Sequence, residues 1–245
     1  MFSLKNHPFA IETFFTSSLV LTYAIAKNEL KDLIPECLEL DTLNDEWAFL
    51  AVALVKTKNL RIKGMPRIMG NDFFLVGFRI FVKYINEKGK RLRGLYILKS
   101  ETDKKKMSFL GNIFSHYNYT TTDIKYSIDK EKATIASDNS QLEIEVNINN
   151  ADISLPIHSP FKDWKEARRY AGPLPFTFTY NNKTKKVLII EGVRENWEPK
   201  PVEVIKNNIG FINQKAFKKI VLANAFIINN IPYYWKKGKI EIWKG

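Results

Sequence analysis

Glu29–Val52, ELKDLIPECLELDTLNDEWAFLAV, passes from an amphipathic turn through a proline and a short apolar–acidic phrase into a wholly apolar run. Leu30, Leu33 and Ile34 share one face of a helical turn, and Asn28 stands where an N-cap belongs. Pro35 closes the turn because it cannot donate the next backbone hydrogen bond. Trp47–Val55 then stays apolar without alternation, which predicts a strand buried on both faces.

Working outward, residues 16–26 read as a strand, and Phe73–Tyr84 (FFLVGFRIFVKY) alternates clearly. Phe74, Val76, Phe78, Ile80 and Val82 fall on one face; Phe73, Leu75, Gly77, Arg79, Phe81 and Lys83 fall on the other. NEKGK turns this strand into RLRGLYILKSE, with Gly89 in the turn. DKKKMSFLGNIFSHYNY has helical spacing, with Asp103 placed to cap it. DIKYSID, KATIAS and QLEIEVNIN read as a meander with one solvated face. A second short helix, SPFKDWKEARRYAG, begins at Ser159 or Asp163 and stops at Gly172. FTFTY with KVLIIEGV, and the two halves of the tail, give further strand pairs. About ten strands with a few short helices and no βαβ rhythm predict a mainly β fold. The expected form is a closed antiparallel β-barrel or cone with peripheral helices, one domain over 1–245 and room for a ligand.

Composition narrows the chemistry. Cys37 is the one cysteine, so no intrachain disulfide or cysteine zinc site can form, and a reducing, cytoplasmic compartment fits best. His7, His116 and His158 lack ligand spacing, so neither a metal nor a cofactor is expected; no Gly-rich phosphate loop is present either. Phe14–Ala26 is diluted by Thr and Ser and is too short for a membrane span, so it reads as a buried strand, and no other stretch could span a bilayer. The net charge of +12 favours anionic partners.

ELKDLIPECLELD resembles the helix–Pro–strand opening of the acetoacetate decarboxylase family. FRIFVKY, RLRGLYILKSE, SHYNY, SPFKDWKEARRY and KVLIIEGVRENWEPKPVEV resemble a relative of that family, the bacterial domain of unknown function numbered 2071 (DUF2071). The resemblance implies an acetoacetate decarboxylase-like barrel with an apolar cavity. It also implies, for an active decarboxylase, a Schiff-base lysine with a lysine neighbour that lowers its pKa. That position falls at His116–Tyr119, where no lysine stands; Lys104–Lys106 lies earlier, at a solvated helix head. The family's first-strand arginine is absent from Phe14–Lys27, and its carboxylates are absent from Trp47–Met69. Schiff-base decarboxylation is therefore not expected.

Several residues remain as candidates for the cavity. Arg93, Lys99 and Glu101 share a face on an alternating strand and would place opposite charges together. Arg79 sits mid-strand among large apolar neighbours and needs a partner, either Glu101, Glu191 or an anionic ligand held bidentately. His116, Tyr117 and Tyr119 supply groups able to donate to a carbonyl or move a proton. The expected partner is thus a small organic acid or carbonyl compound. A second reading, from another class, is a non-enzymatic protein using its basic surface for nucleic acid or another anion. Lys236–Lys244 with Tyr233, Tyr234, Trp235 and Trp243 motivates it, but no RNP1-like signature accompanies the charge. Barrel edges and apolar helix faces permit a homo-oligomer without demanding one.

Overall fold

The computed structural model describes residues 3–149, 153–170, 174–195 and 197–245. Its strands are β1 (Ile11–Ala26), β2 (Glu39–Leu40), β3 (Trp47–Ile62), β4 (Asn71–Ile85), β5 (Arg91–Thr102), β6 (Tyr119–Thr121), β7 (Lys125–Asp129), β8 (Lys132–Ser137), β9 (Leu142–Asn147), β10 (Phe176–Asn181), β11 (Lys186–Arg194), β12 (Lys200–Pro201), β13 (Glu203–Ile209), β14 (Ile220–Trp235) and β15 (Lys239–Ile242). Its α-helices are α1 (Lys27–Leu30), α2 (Lys105–Phe114), α3 (Trp164–Ala167) and α4 (Gly210–Lys215).

Seven strands close on themselves in the order β14–β1–β3–β4–β5–β10–β11 and back to β14. The closing pair runs from Gly192↔Trp235 to Arg194↔Tyr233. The ring is antiparallel except where β10 joins β5 in parallel, Phe176↔Gly94 to Phe178↔Tyr96. A parallel neighbour is reached only through a long connection, and β10 follows β7–β9 and the 159–170 excursion. Gly94 permits the join: a Cβ there would lie 2.5 Å from the Phe176 carbonyl oxygen.

Both faces of the ring are apolar. Leu50, Val52 and Leu54 of β3 enter one core with Leu21, Val76, Phe78 and Ile80. Phe49, Ala51, Ala53 and Val55 enter a second with Phe15, Phe81, Leu95 and Tyr233. The uninterrupted apolar run of β3 is therefore a strand buried on both faces, and alternation fails because no face is wet.

A four-stranded antiparallel sheet, β13–β9–β8–β7, lays Ala133, Ile135, Leu142, Ile144 and Val146 on the first core. The second core is plugged at one end by residues 161–170. Phe161 and Tyr170 pack on Phe49 at 5.2 and 4.1 Å between ring centres. This segment is fixed by polar bonds: Thr22 Oγ1 donates to the Tyr170 carbonyl at 2.8 Å, and Asn224 Nδ2 donates to that of Ala167 at 3.2 Å.

Cap positions differ from the sequence reading in two places. Asp103 does not cap α2; its Oδ1 accepts from the Phe74 amide at 2.8 Å, so the acidic group serves β4 and the helix begins at Lys105. Ala26, not Asn28, precedes α1. Asp163 does cap α3, accepting from the Glu166 amide at 2.7 Å, whereas Ser159 donates to the Ala223 carbonyl. The expected stop at Gly172 lies outside the described residues.

Candidate functional site

β4 carries Leu75, Gly77, Arg79, Phe81 and Lys83 on the face of the second core. The Arg79 guanidinium folds back over Gly77, where a Cβ would meet Nε at 3.0 Å. Arg79 lies deep in the protein yet keeps part of its side chain open to a water-sized space. Burial pulls its pKa below the usual arginine range, while Tyr233, Tyr119 and Tyr117, in falling order, act the other way. Tyr233 belongs to β14, three strands around the ring, so side chains of this face converge.

Tyr117 and Tyr119 arrive through a tight turn after α2. Asn118 adopts the left-handed conformation, φ 52°, which asparagine tolerates better than most residues. Asn112 then clamps Tyr119 from both sides, Nδ2 donating to its carbonyl at 2.8 Å and Oδ1 accepting from its amide at 2.9 Å. β6 pairs in parallel with β5, Ser100↔Tyr119, which locks the turn to the ring. The Tyr117 and Thr177 hydroxyls share a hydrogen bond of 3.1 Å. Burial raises the pKa of Tyr117, Tyr119 and Tyr233, the last to about 12, so all three are neutral donors at physiological pH.

Arg194 of β11 approaches the same cluster. It is half-buried, its Nε has no hydrogen-bond partner among the described residues, and its guanidinium lies 4.5 Å from the Trp197 ring centre. Burial lowers its pKa and Tyr233 opposes the shift. Gly192, two residues earlier, leaves space for Tyr233: a Cβ there would sit 2.0 Å from the tyrosine oxygen. Arg79 Nε likewise has no partner, and among the described residues no carboxylate pairs with either arginine.

A cavity of about 250 Å³ opens beside Tyr117 and Tyr119 at the end of the ring opposite the aromatic plug. Phe9, Met65, Met107, Leu110, Phe114 and Trp235 are part of its wall. No lysine lines it, so the lining itself cannot form a Schiff base. No cluster of three metal-ligating side chains exists among the described residues.

The sequence candidates are thus divided. Arg79, Tyr117 and Tyr119 come together. Arg93, Lys99 and Glu101 do not form one group, because β5 bulges at Leu98: Phe78 pairs with Lys99 but Arg79 pairs with Ile97. The extra residue shifts the side-chain alternation, so Lys99 and Glu101 leave the face that carries Arg93. Glu101 is held by Lys99 at 2.5 Å, and Arg93 by Asp41. Glu191 is bound by Lys236 at 2.8 Å on the exposed side of β11. Neither glutamate is the partner of Arg79. His116 is largely exposed at the turn, and partial desolvation of its ring, followed by nearby Lys5, lowers its pKa.

Arg194, Tyr233 and Gly77 were missed as site residues. The available signal was a repeated G-x-R phrase, Gly77–Arg79 and Gly192–Arg194, in two strands with otherwise apolar neighbours. A glycine two residues before an arginine shares its face and leaves room beside it.

A family model described as an uncharacterized conserved protein, DUF2071, matches residues 15–228. No curated protein matches the chain. Among solved structures, acetoacetate decarboxylase from Legionella pneumophila is similar at 12% identity and a TM-score of 0.60, over 94% of this chain and 86% of that one. The enduracididine biosynthesis enzyme MppR, complexed with pyruvate, is similar at 8% identity and 0.54, over 95% and 90%. An acetoacetate decarboxylase-like enzyme from Sphingomonas wittichii RW1 stands at 10% and 0.51, over 95% and 90%. At such identities the likeness establishes the fold.

Proposed function

The chain belongs to the DUF2071 family and has an acetoacetate decarboxylase-like fold, and from that premise we propose that its ring binds the carboxylate of a small organic acid or carbonyl compound beside Arg79, without Schiff-base chemistry. The observation that carries this reading is a deep guanidinium with no carboxylate partner among the described residues. An unpaired cation in that position is costly, and an anionic ligand offsets the cost by direct, charge-assisted hydrogen bonds. Tyr117 and Tyr119 line the cavity and, as neutral phenols, would serve as donors for a second oxygen. The pyruvate bound by MppR belongs to the same ligand class.

The test is a thermal-shift screen of the purified chain with pyruvate, acetate and their amides, at two salt concentrations. Stabilisation by the acids but not the amides is expected, with little salt dependence because a buried site is weakly screened. Arg79→Met removes a charge-assisted contact of about 1.5–3 kcal/mol, roughly ten- to hundredfold in affinity. Equal stabilisation by amides, or unchanged acid binding in folded Arg79→Met, sinks the reading. An oligonucleotide in the same screen separates it from binding at the basic surface, where affinity falls steeply with salt.

A further inference from the structure

We propose that the apolar cavity is the tail chamber of this same site, so that the ligand is an amphiphilic acid: a carboxylate carried on a medium-length apolar body. This rests on the carboxylate reading of Arg79 and extends it from the head group to the rest of the molecule.

Three observations join chamber and head-group site. Tyr117 and Tyr119 line the cavity, and Tyr119 pairs with Ser100, which pairs in turn with Gly77 beneath the folded-back Arg79 guanidinium. Trp235, on the cavity wall, packs 4.7 Å from Tyr233, whose hydroxyl lies over Gly192, two residues before Arg194. Gly111 of α2 lets the Tyr119 ring press against the helix, since a Cβ there would lie 2.4 Å from Cδ2. The helix whose Met107, Leu110 and Phe114 line the chamber is therefore the element that seats the tyrosine.

The wall is suited to a hydrocarbon. Arg61, its one cation, is occupied by Glu12 at 2.7 Å and by the backbone carbonyls of Met65 and Asn59. Asn71 donates to the Leu60 carbonyl. What remains on offer is mainly aliphatic, aromatic and thioether surface, and methionines adapt to irregular apolar shapes. At about 30 Å³ per water-sized group, 250 Å³ accommodates roughly eight such groups. Phe9 and Met65 are each 42% exposed, so the mouth is reachable from solvent. A ligand as small as pyruvate leaves this apolar wall wet, whereas an acid with a tail covers it.

Titration calorimetry of the full chain with straight-chain carboxylates from propanoate to dodecanoate, and with octanol, tests this. Affinity should rise about three- to fourfold per methylene until the chamber is full, then level off. Octanol should bind at least tenfold more weakly than octanoate, and Arg79→Met should remove that preference. Leu110→Asn, which makes the wall polar, and Leu110→Trp, which fills it, should each flatten the chain-length dependence; the second serves if the first fails to fold. Short acids that bind through Arg79 with no gain from added methylenes overturn the tail chamber and leave the carboxylate site standing. Octanol binding as tightly as octanoate overturns the link between chamber and arginine. No binding by an acid of any length overturns both.

Discussion

Arg79 and Arg93 sit on neighbouring strands, toward opposite ends of one face of the ring, and their surroundings differ in one decisive respect. Arg93 pairs with Asp41, which also holds Lys83 at 2.9 Å, and its guanidinium lies 4.6 Å from the Tyr170 ring centre in the aromatic plug. Arg79 has phenols around it and, among the described residues, no carboxylate. The first arginine belongs to an ion-paired network that closes the plugged end. The second has no such ion pair among the described residues. Paired burial is a structural device; unpaired burial is a cost that a ligand can offset.

This contrast can be broken experimentally, and Asp41→Ala should give the largest effect. It leaves two cations without a counter-charge around a nearly inaccessible position, costing about 3 kcal/mol in denaturant unfolding. A loss under 1 kcal/mol would mean that the plugged end does not depend on its carboxylate. Arg93→Met should cost less, about 1–2 kcal/mol, because Lys83 still serves Asp41 and the site is partly solvated.

Arg79→Met should have the opposite sign. Replacing an unpaired deep cation by an apolar side chain of similar length should leave the ligand-free protein as stable or raise it by up to about 1 kcal/mol. A marked loss of stability would reveal a partner for Arg79 and erase the comparison. Gly77→Ala sharpens it further, since its methyl group would press on the Arg79 guanidinium. Stability should change by less than about 1 kcal/mol, because the crowded atoms end a flexible side chain, while acid binding should fall. Retained binding would show that the folded-back position of the guanidinium is not required.

The smallest effect concerns pH. Burial pushes the Tyr233 phenol from its ordinary 10 to about 12, so the folded state favours the protonated form. The stability this contributes is fully present below pH 10 and is lost as pH rises from 10 towards 12. Tyr233→Phe should therefore flatten the decline in stability over that window, measured by unfolding at successive pH values. An identical decline in the variant would show that the phenol is not held neutral by its surroundings.

Much of this protein was legible along the chain. Period-two alternation marked β4, and an unbroken apolar run identified β3 as buried on both faces, since side-chain chemistry reports directly on what each face touches. Arg79 stood out because a cation between phenylalanines demands a partner wherever the strand lies. The helical spacing of DKKKMSFLGNIFSHYNY runs on through HYNY, whereas α2 stops at Phe114 and a turn at Asn118 carries Tyr117 and Tyr119.

What the tertiary structure decided was pairing. The bulge at Leu98 shifts the alternation of β5 and separates Lys99 and Glu101 from Arg93, and nothing in RLRGLYILKSE marks it, because a bulge is a relation between two strands. The parallel join of β5 to β10 depends on where the chain returns after β7–β9. Arg194 and Tyr233 meet Arg79 only because the ring closes between β11 and β14, strands separated from β4 by more than a hundred residues. Residue type and period fix what a strand needs. Only closure of the ring determines which distant side chains are brought to it.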